Sequence, residues 1–239
     1  MTIIPIKTRI FLENENLESF INEYVPVLNE NSILVITSKI VALSEGRTDN
    51  DASEENRERL IKQESGWMMK TKYVWLTLKD DMLVASAGID ASNANGKLIL
   101  LPKNSFATAR AMCDALKKRF GLKKLGVLIT DSRLLPLRVG ALAYAIGYQG
   151  FKGVRDNRGK PDIFGRTLVY SETDIADGLA TAAVLEMGEG AEQIPLAIIT
   201  NPPVEWTCEL ADPHELCIPP EEDVYRPFFE NLPTREGVE

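Results

Sequence analysis

The sequence has few of the side chains that build common metal and redox sites. Its 239 residues include one histidine, His214, and three cysteines, none spaced as Cys-x-x-Cys. This argues against a disulfide framework, a thiolate zinc site and any site with two imidazoles. No apolar run reaches the roughly 18 residues of a membrane-spanning helix, and the N-terminus lacks the basic start of a signal peptide. We therefore expect a soluble protein of a reducing, cytoplasmic compartment.

An excess of basic charge is also missing. Lys and Arg number 27 against 35 Asp and Glu, for a formal net charge of −8. The imbalance lies in residues 201–239, which hold ten acidic and two basic side chains. Such a segment would repel a phosphate backbone, and the neutral remainder of the chain does not compensate for it. Nucleic acid is therefore not an expected partner.

The acidic segment also holds seven of the 13 prolines, which favours an irregular course. It still contains the aromatic residues Trp206, Tyr225, Phe228 and Phe229, so we expect it to pack against the protein. We predict an α+β body over residues 1–200, with two interleaved subdomains as an alternative description. The acidic, Pro-rich segment over residues 201–239 would wrap around this body.

Apolar spacing predicts a mixture of helices and strands. Helical spacing marks three segments, 17–28, 106–120 and 174–187, and Gly121 and Gly188 are the expected ends of the last two. The charged segment 49–63 reads as a solvated helix or loop. Short apolar runs predict strands at 33–37, 98–101, 125–130 and 196–200, and a hairpin over 73–86. Because no regular βαβ rhythm appears, we expect an α+β fold with mixed or antiparallel sheets and packed helices.

Three segments share one design, in which an apolar element is followed by small residues and hard oxygen donors. They are Gly88–Asn93, Thr130–Ser132 and Met187–Gly190. Carboxylate and hydroxyl oxygens suit Mg²⁺ or Mn²⁺, and glycines let backbone N–H groups approach phosphate oxygens. Together the segments predict a site for a metal and a triphosphate.

Each segment also has a simpler interpretation. Asp90 and Asn93 suit an Asx turn, Asp131 suits a turn cap, and Gly188 suits a helix stop. Residues 155–166 fit an anion clamp or a salt-bridged surface turn equally well. The sequence has neither a Walker loop nor the Gly-x-Ser-x-Gly of a serine hydrolase.

The order of these segments resembles one known family, the coenzyme F-420-0:L-glutamate ligases, over nearly the whole chain. The matching stretches are Thr37–Lys39 with Glu45–Arg47, Ala87–Asn93, Gly126–Ser132, Ala145–Gly147, the spacing of Asp156, Gly159, Asp162 and Gly165, Met187–Gly190 through Pro195, and Glu221–Val224. Gly-Ile-Asp-x-Ser-Asn, at residues 88–93, is the most specific of them.

The resemblance implies a GTP- and divalent-metal-dependent ligase that joins glutamate to a carboxylate of the deazaflavin coenzyme precursor through an acyl phosphate. It further implies an α+β gamma-glutamyl-ligase-like fold and an intertwined homodimer. By resemblance, the ligands of one or two Mg²⁺ or Mn²⁺ ions would be Asp90, Asp131, Ser132 and Glu189. The residues facing GTP would be Thr8, Arg9, Ser38, Lys39, Asn93, Arg138, Met187, Gly188 and Gly190. No catalytic acid or base is assigned.

The sequence departs from the family pattern at two places. Leu43 stands where the family usually has a basic residue, and Leu134 and Leu135 follow Arg133 where it usually has Gly-Arg. Two alternatives therefore stay open. One is a related amide ligase with a different acceptor, and the other is a non-catalytic homologue that binds a nucleotide or a flavin-like ligand.

Overall fold

A computed structural model describes residues 1–228 of the chain. Over these residues, helices and mixed sheets alternate irregularly, which confirms the predicted α+β class. The chain divides into two compact units. The first unit comprises Met1–Gly46 and Pro102–Glu215, and the second unit comprises Arg47–Leu101 and, among the described residues, 216–228. Residues 1–200 therefore contribute to both units.

The described elements are five α-helices and 12 β-strands. The helices are α1 (Leu17–Tyr24), α2 (Ser38–Ser44), α3 (Glu54–Glu64), α4 (Ser105–Phe120) and α5 (Ile175–Met187). The strands are β1 (Thr2–Ile6), β2 (Ser32–Thr37), β3 (Thr48–Asp49), β4 (Trp67–Lys70), β5 (Trp75–Lys79), β6 (Met82–Ala85), β7 (Leu98–Ile99), β8 (Leu125–Leu134), β9 (Ala141–Gln149), β10 (Val154–Asp156), β11 (Glu172–Asp174) and β12 (Leu196–Thr200).

The first unit is built on a five-stranded sheet with the order β1-β12-β2-β8-β9. Only β2 and β8 run parallel, while the other neighbours are antiparallel. Both strands of the parallel pair are continuous apolar runs, and residues 33–36 are fully buried. Such runs are typical of strands covered on both faces. Helices α4 and α5 pack against this sheet.

Short-range hydrogen bonds define the ends of the helices. The side chains of Asn16, Asn104 and Asp174 each accept a hydrogen bond from the N–H three residues later, as N-caps do. Helix α4 ends at Gly121, whose φ of 69° is left-handed. Helix α1 ends at Tyr24, just before Pro26, so Leu28 of the predicted segment lies outside the helix.

Strand β8 differs most from the prediction. The strand does not end at Thr130 but continues to Leu134, so Asp131 and Ser132 lie inside it. A shift of register between Ile129 and Thr130 marks the point where its pairing with β9 changes. Pairing with β2 stops at Thr130, so the last residues of β8 extend the hairpin with β9 alone.

The second unit contains an antiparallel sheet of the order β4-β5-β6 and a short pair formed by β3 and β7. Helix α3 packs on β4 and β5. Met68 and Trp75 pack at the edge of the core of this unit. The core consists of six buried residues: Leu60, Ile61, Ala87, Ile89, Leu98 and Leu100.

Part of the Pro-rich segment packs on the first unit. The N–H of Lys152 donates to the carbonyl of Glu205 (2.9 Å). The Tyr148 hydroxyl donates to Glu215 at 2.5 Å, and burial together with that carboxylate raises the pKa of Tyr148 above its usual range. Phe229 lies outside the described residues, and wrapping by the whole of 201–239 stays a prediction.

No helix within residues 1–228 is long and apolar enough to cross a membrane. The expected cytoplasmic location stays a prediction.

Two glycines of the first unit should respond oppositely to an added methyl group. A Cβ on Gly147, in β9, would lie 2.5 Å from the backbone carbon of Ser105 at the start of α4. Gly147→Ala should therefore lower the free energy of unfolding by about 1–3 kcal/mol. Gly178, inside α5, has open space at the same position, so Gly178→Ala should raise it by about 0.5–1 kcal/mol. Urea unfolding measures both, and equal effects would contradict the packing of β9 on α4.

Candidate functional site

The parallel pairing of β2 and β8 brings Ser38 and Asp131 together. Thr37 ends β2, and its register partner Thr130 is the last residue of β8 that pairs with β2. The residues that follow them, Ser38 and Asp131, therefore lie at the same end of the parallel pair, where α/β proteins commonly bind ligands. The buried Ser38 hydroxyl donates to Asp131 Oδ1 at 2.7 Å. One predicted nucleotide residue thus contacts one predicted metal ligand.

A second contact joins Ser132 to Glu189. Helix α5 ends at Met187, and Gly188 follows with a φ of 78°. This conformation, which L-residues rarely adopt, turns the chain after the helix. The Ser132 hydroxyl donates to Glu189 Oε1 at 2.5 Å. Two carboxylate–hydroxyl pairs, Ser38–Asp131 and Ser132–Glu189, are therefore attached to consecutive residues of β8.

Arg133, the next residue of β8, is held by an acidic partner that the sequence analysis missed. Its guanidinium pairs with Asp177 Oδ2 at 2.5 Å, and Asp177 Oδ1 accepts the N–H of Ala145 at 2.8 Å. Burial and the neighbouring Asp177 raise the pKa of Asp174 to about 6. The ion pair ties the end of β8 to the first turn of α5. No periodicity or motif marks Asp177 in the sequence.

The two predicted nucleotide residues after β1 have different surroundings. Thr8 is buried, and its N–H donates to the carbonyl of Gln193 at 3.0 Å, which joins the end of β1 to the loop after α5. The Arg9 guanidinium pairs with Glu15 (2.8 Å) and Glu23 (3.3 Å). Its hydrogen bond lowers the pKa of Glu15. These contacts give Arg9 a structural role, and a nucleotide contact stays a prediction.

The remaining predicted GTP residues of the first unit lie on α2, on the β8–β9 loop and after α5. Lys39 is half-buried in the first turn of α2, and Arg138 is exposed in the loop. The Met187 side chain is buried in the core. Gly190 donates its N–H to the Glu192 carboxylate at 2.7 Å, so a carboxylate of the same loop already accepts the hydrogen bond that a phosphate would accept. Nucleotide contacts by these residues stay predictions.

Asp90 and Asn93 belong to the second unit. Asp90 accepts the N–H of Ser92 at 2.8 Å and its hydroxyl at 2.6 Å. This is the Asx turn that the sequence analysis gave as the simpler interpretation. Asn93 has a left-handed φ of 51°. The convergence of Asp90 with Asp131 and Glu189 stays a prediction.

The turn that leads to Asp90 has an unusual backbone. Ser86, Ala87 and Gly88 have φ values of 52°, 53° and 71°. Left-handed non-glycine residues cost about 1–3 kcal/mol each and persist only when their surroundings hold them. The fully buried Thr77 does so, because its hydroxyl accepts the Ala87 N–H (2.8 Å) and donates to the Val84 carbonyl (2.7 Å).

Comparison with known proteins gives this chain a family. The family model described as F420-0:Gamma-glutamyl ligase matches residues 5–201. The chain belongs to this family. The F420-0:gamma-glutamyl ligase family thus covers all of the segments that carry the two carboxylate–hydroxyl pairs and the Asp90 turn.

Individual relatives match over most of their length. Coenzyme F420:L-glutamate ligase of Methanococcus maripaludis strain C6 is 33% identical over 95% of this chain and 97% of its own. The protein of the same name from Methanocaldococcus jannaschii is 31% identical over 94% and 96%. That from Methanosarcina mazei is 34% identical over 85% of both chains.

The Thr77 hydroxyl should be needed to hold the turn. Thr77→Val keeps the shape but leaves the buried Ala87 N–H without its acceptor, so the free energy of unfolding should fall by about 1–3 kcal/mol. Thr77→Ser keeps the hydroxyl and loses one methyl group, so about 1 kcal/mol should be lost. Hydrogen exchange at Ala87 should accelerate in the valine variant and not in the serine variant. Equal exchange in both would exclude this role.

Proposed function

We propose that this chain forms an amide between L-glutamate and a carboxylate of the deazaflavin coenzyme F420 precursor. The reaction would use GTP and Mg²⁺ or Mn²⁺ and pass through an acyl phosphate. Family membership and the names of the relatives support a glutamate ligase of F420 biosynthesis. The observation that carries the proposal is the pair of carboxylate–hydroxyl contacts, Ser38–Asp131 and Ser132–Glu189, on consecutive residues of β8.

The donor set of the first unit fits hard divalent cations. Asp131, Ser132 and Glu189 offer only oxygen, which Mg²⁺ and Mn²⁺ prefer. Two carboxylates, each with a hydroxyl beside it, suit one or two ions, and Asp90 of the second unit would add a third carboxylate. Bound metal would neutralise phosphate charge during phosphoryl transfer.

The chain's own residues would orient the reacting groups. A carboxylate is a poor electrophile, so phosphorylation by GTP must give it a leaving group before the glutamate amine attacks. Ser38 fixes one oxygen of Asp131, and the Arg133–Asp177 pair fixes the strand that carries Asp131 and Ser132. Such outer contacts keep a metal ligand in one orientation. No side chain is assigned as the base for the glutamate amine.

The assay of this proposal supplies L-glutamate, the deazaflavin precursor, GTP and Mn²⁺, and measures the glutamylated product by mass and phosphate release. Asp131→Asn should lower kcat/KM more than about 100-fold, and Ser38→Ala should lower it about 10-fold, since it acts through Asp131. Mn²⁺ affinity should fall in the same order. The control is Asp114→Asn, an exposed position on α4 with the same change of charge.

The outcomes separate the alternatives. Turnover only with other carboxylate acceptors would favour a related amide ligase. This is the hypothesis that Leu43, Leu134 and Leu135 motivate. Nucleotide binding without phosphate release for any acceptor would leave the non-catalytic homologue. Unchanged Mn²⁺ affinity in Asp131→Asn would overturn the metal site.

We also propose that the protein is a homodimer, in keeping with the resemblance. Two segments of the first unit expose large apolar side chains. Leu137 and Val139, between β8 and β9, are fully exposed, and Ile163 and Phe164, between β10 and β11, are about nine-tenths exposed. Clustered exposed apolar groups commonly mark protein interfaces.

Charged residues in the β8–β9 loop should weaken this dimer. The variant with Leu137→Asp and Val139→Asp should raise the dimer dissociation constant at least about 10-fold, because unpaired carboxylates would enter an apolar contact. Analytical ultracentrifugation measures the constant. Leu185→Asp, at an exposed leucine of α5 in neither segment, is the control. A monomeric wild type, or no effect of the double change, would contradict the proposal.

A further inference from the structure

We propose that the second unit binds a planar aromatic ligand that carries one phosphate or carboxylate group. The site is a cavity of about 370 Å³ between α3 and the chain that joins β4 to β5. Cavities for small ligands typically span about 300–1,000 Å³. The inference rests on the proposed function in one respect, because its ligand class matches the deazaflavin acceptor named there, and it adds where such a ligand would bind.

The cavity offers three cations to an anionic group. Lys70 and Lys72 line it, and within residues 1–228 the structure gives neither ammonium an acidic partner. Arg57 also lines it, and its Nε is buried with no hydrogen-bond partner among the described residues. Its ion pair with Glu54 is long, at 3.9 Å, and the Glu54 side chain is 90% exposed. A ligand oxyanion would supply the missing acceptor.

The same cavity has an apolar, aromatic wall. Trp75 is half-buried, Tyr73 is 84% exposed, and the buried side chain of Ile61 lies between α3 and the sheet. Lys70 Nζ lies 5.3 Å from the Trp75 ring centroid, and Lys72 Nζ lies 5.0 Å from that of Tyr73. Cations over aromatic rings next to an open cavity suit a ligand with a flat ring and a negative group.

The carboxylates of the cavity limit the ligand charge. Glu54 and Glu58 line it beside the three cations, which leaves a formal charge of +1. That balance suits a single phosphate or carboxylate, whereas a triphosphate would meet two carboxylates at close range. A flavin-like phosphate therefore fits better than a nucleoside triphosphate.

The cavity also reaches the turn described above. Ser86 lines it, and Ser86 is the first of the three left-handed residues that precede Asp90. A ligand in this cavity would therefore contact the backbone that delivers the Gly-Ile-Asp segment. This contact gives the site a route to influence the position of Asp90.

The test uses the full chain and four probes. FMN carries a flat ring and one phosphate, riboflavin has the ring alone, inorganic phosphate has the anion alone, and GTP has a base with a triphosphate. Flavin fluorescence and calorimetry should give FMN an affinity at least about 10-fold above that of the other three, as one charge-assisted hydrogen bond provides. Ser86 amide resonances should shift on adding FMN and not riboflavin.

Exposed lysines allow the site to be altered without disturbing the core. Lys72→Met and Lys70→Met should each weaken FMN binding at least about 5-fold, and Arg57→Met should abolish it. Lys62→Met removes the same charge from an exposed position of α3 outside the cavity and should leave the affinity unchanged. Thermal unfolding checks that each variant is folded.

Three results would overturn the inference. They are equal affinity for FMN and riboflavin, tighter binding of GTP than of FMN, and lysine variants that bind FMN as the wild type does. The ligase assay is judged separately, because its variants change Asp131 and Ser38 of the first unit.

Discussion

The register between β2 and β8 is the constraint on which the candidate site depends. Both strands are apolar on both faces, so burial alone does not distinguish one register from the next. Gly126 distinguishes them. It is the register partner of Ile33, and a Cβ at position 126 would lie 3.1 Å from Ile33 Cγ1 and 2.8 Å from the Phe151 ring. A slip of one residue would bring Leu125 or Val127 to this close approach, which neither side chain fits.

Because that register is fixed, the polar residues that follow the strands are fixed as well. Ser38 is the first residue of α2, and Asp131 lies inside β8. Their side chains meet because Thr37 and Thr130, the residues before them, are register partners. The half-buried Asp131 carboxylate accepts a hydrogen bond from the Ser38 hydroxyl, which offsets the loss of its hydration. This contact lies where the sheet changes from apolar to polar residues. Site geometry here is a consequence of sheet packing.

Local signals in the sequence were sufficient for the glycines that end α4 and α5, for the buried strands β2 and β12 and for the order of the oxygen-bearing segments. Asn16, Asn104 and Gly121 act through residues three or four positions away, so a single sequence contains the whole interaction. The extension of β8 to Leu134 depends on pairing with β9, a strand that was not predicted from the sequence. Asp177 and Thr77 act on Arg133 and Ala87, which lie 44 and 10 residues away. Such pairings require the fold, and sequence spacing alone does not contain them.

The left-handed turn at Ser86–Gly88 is the feature that the fold itself requires least. The hairpin β5–β6 has ended, and a regular turn would cost less than two strained non-glycine residues. The protein nevertheless holds this turn with the Thr77 hydroxyl and closes it on Leu101, whose side chain fills the space where Gly88 would carry a Cβ. Because both Thr77 and Leu101 hold this strained backbone in place, we infer that the position of the residues after it matters for function. Since Ser86 lines the cavity and Asp90 follows the turn, one strained segment serves both the proposed ligand site and the most specific motif of the family.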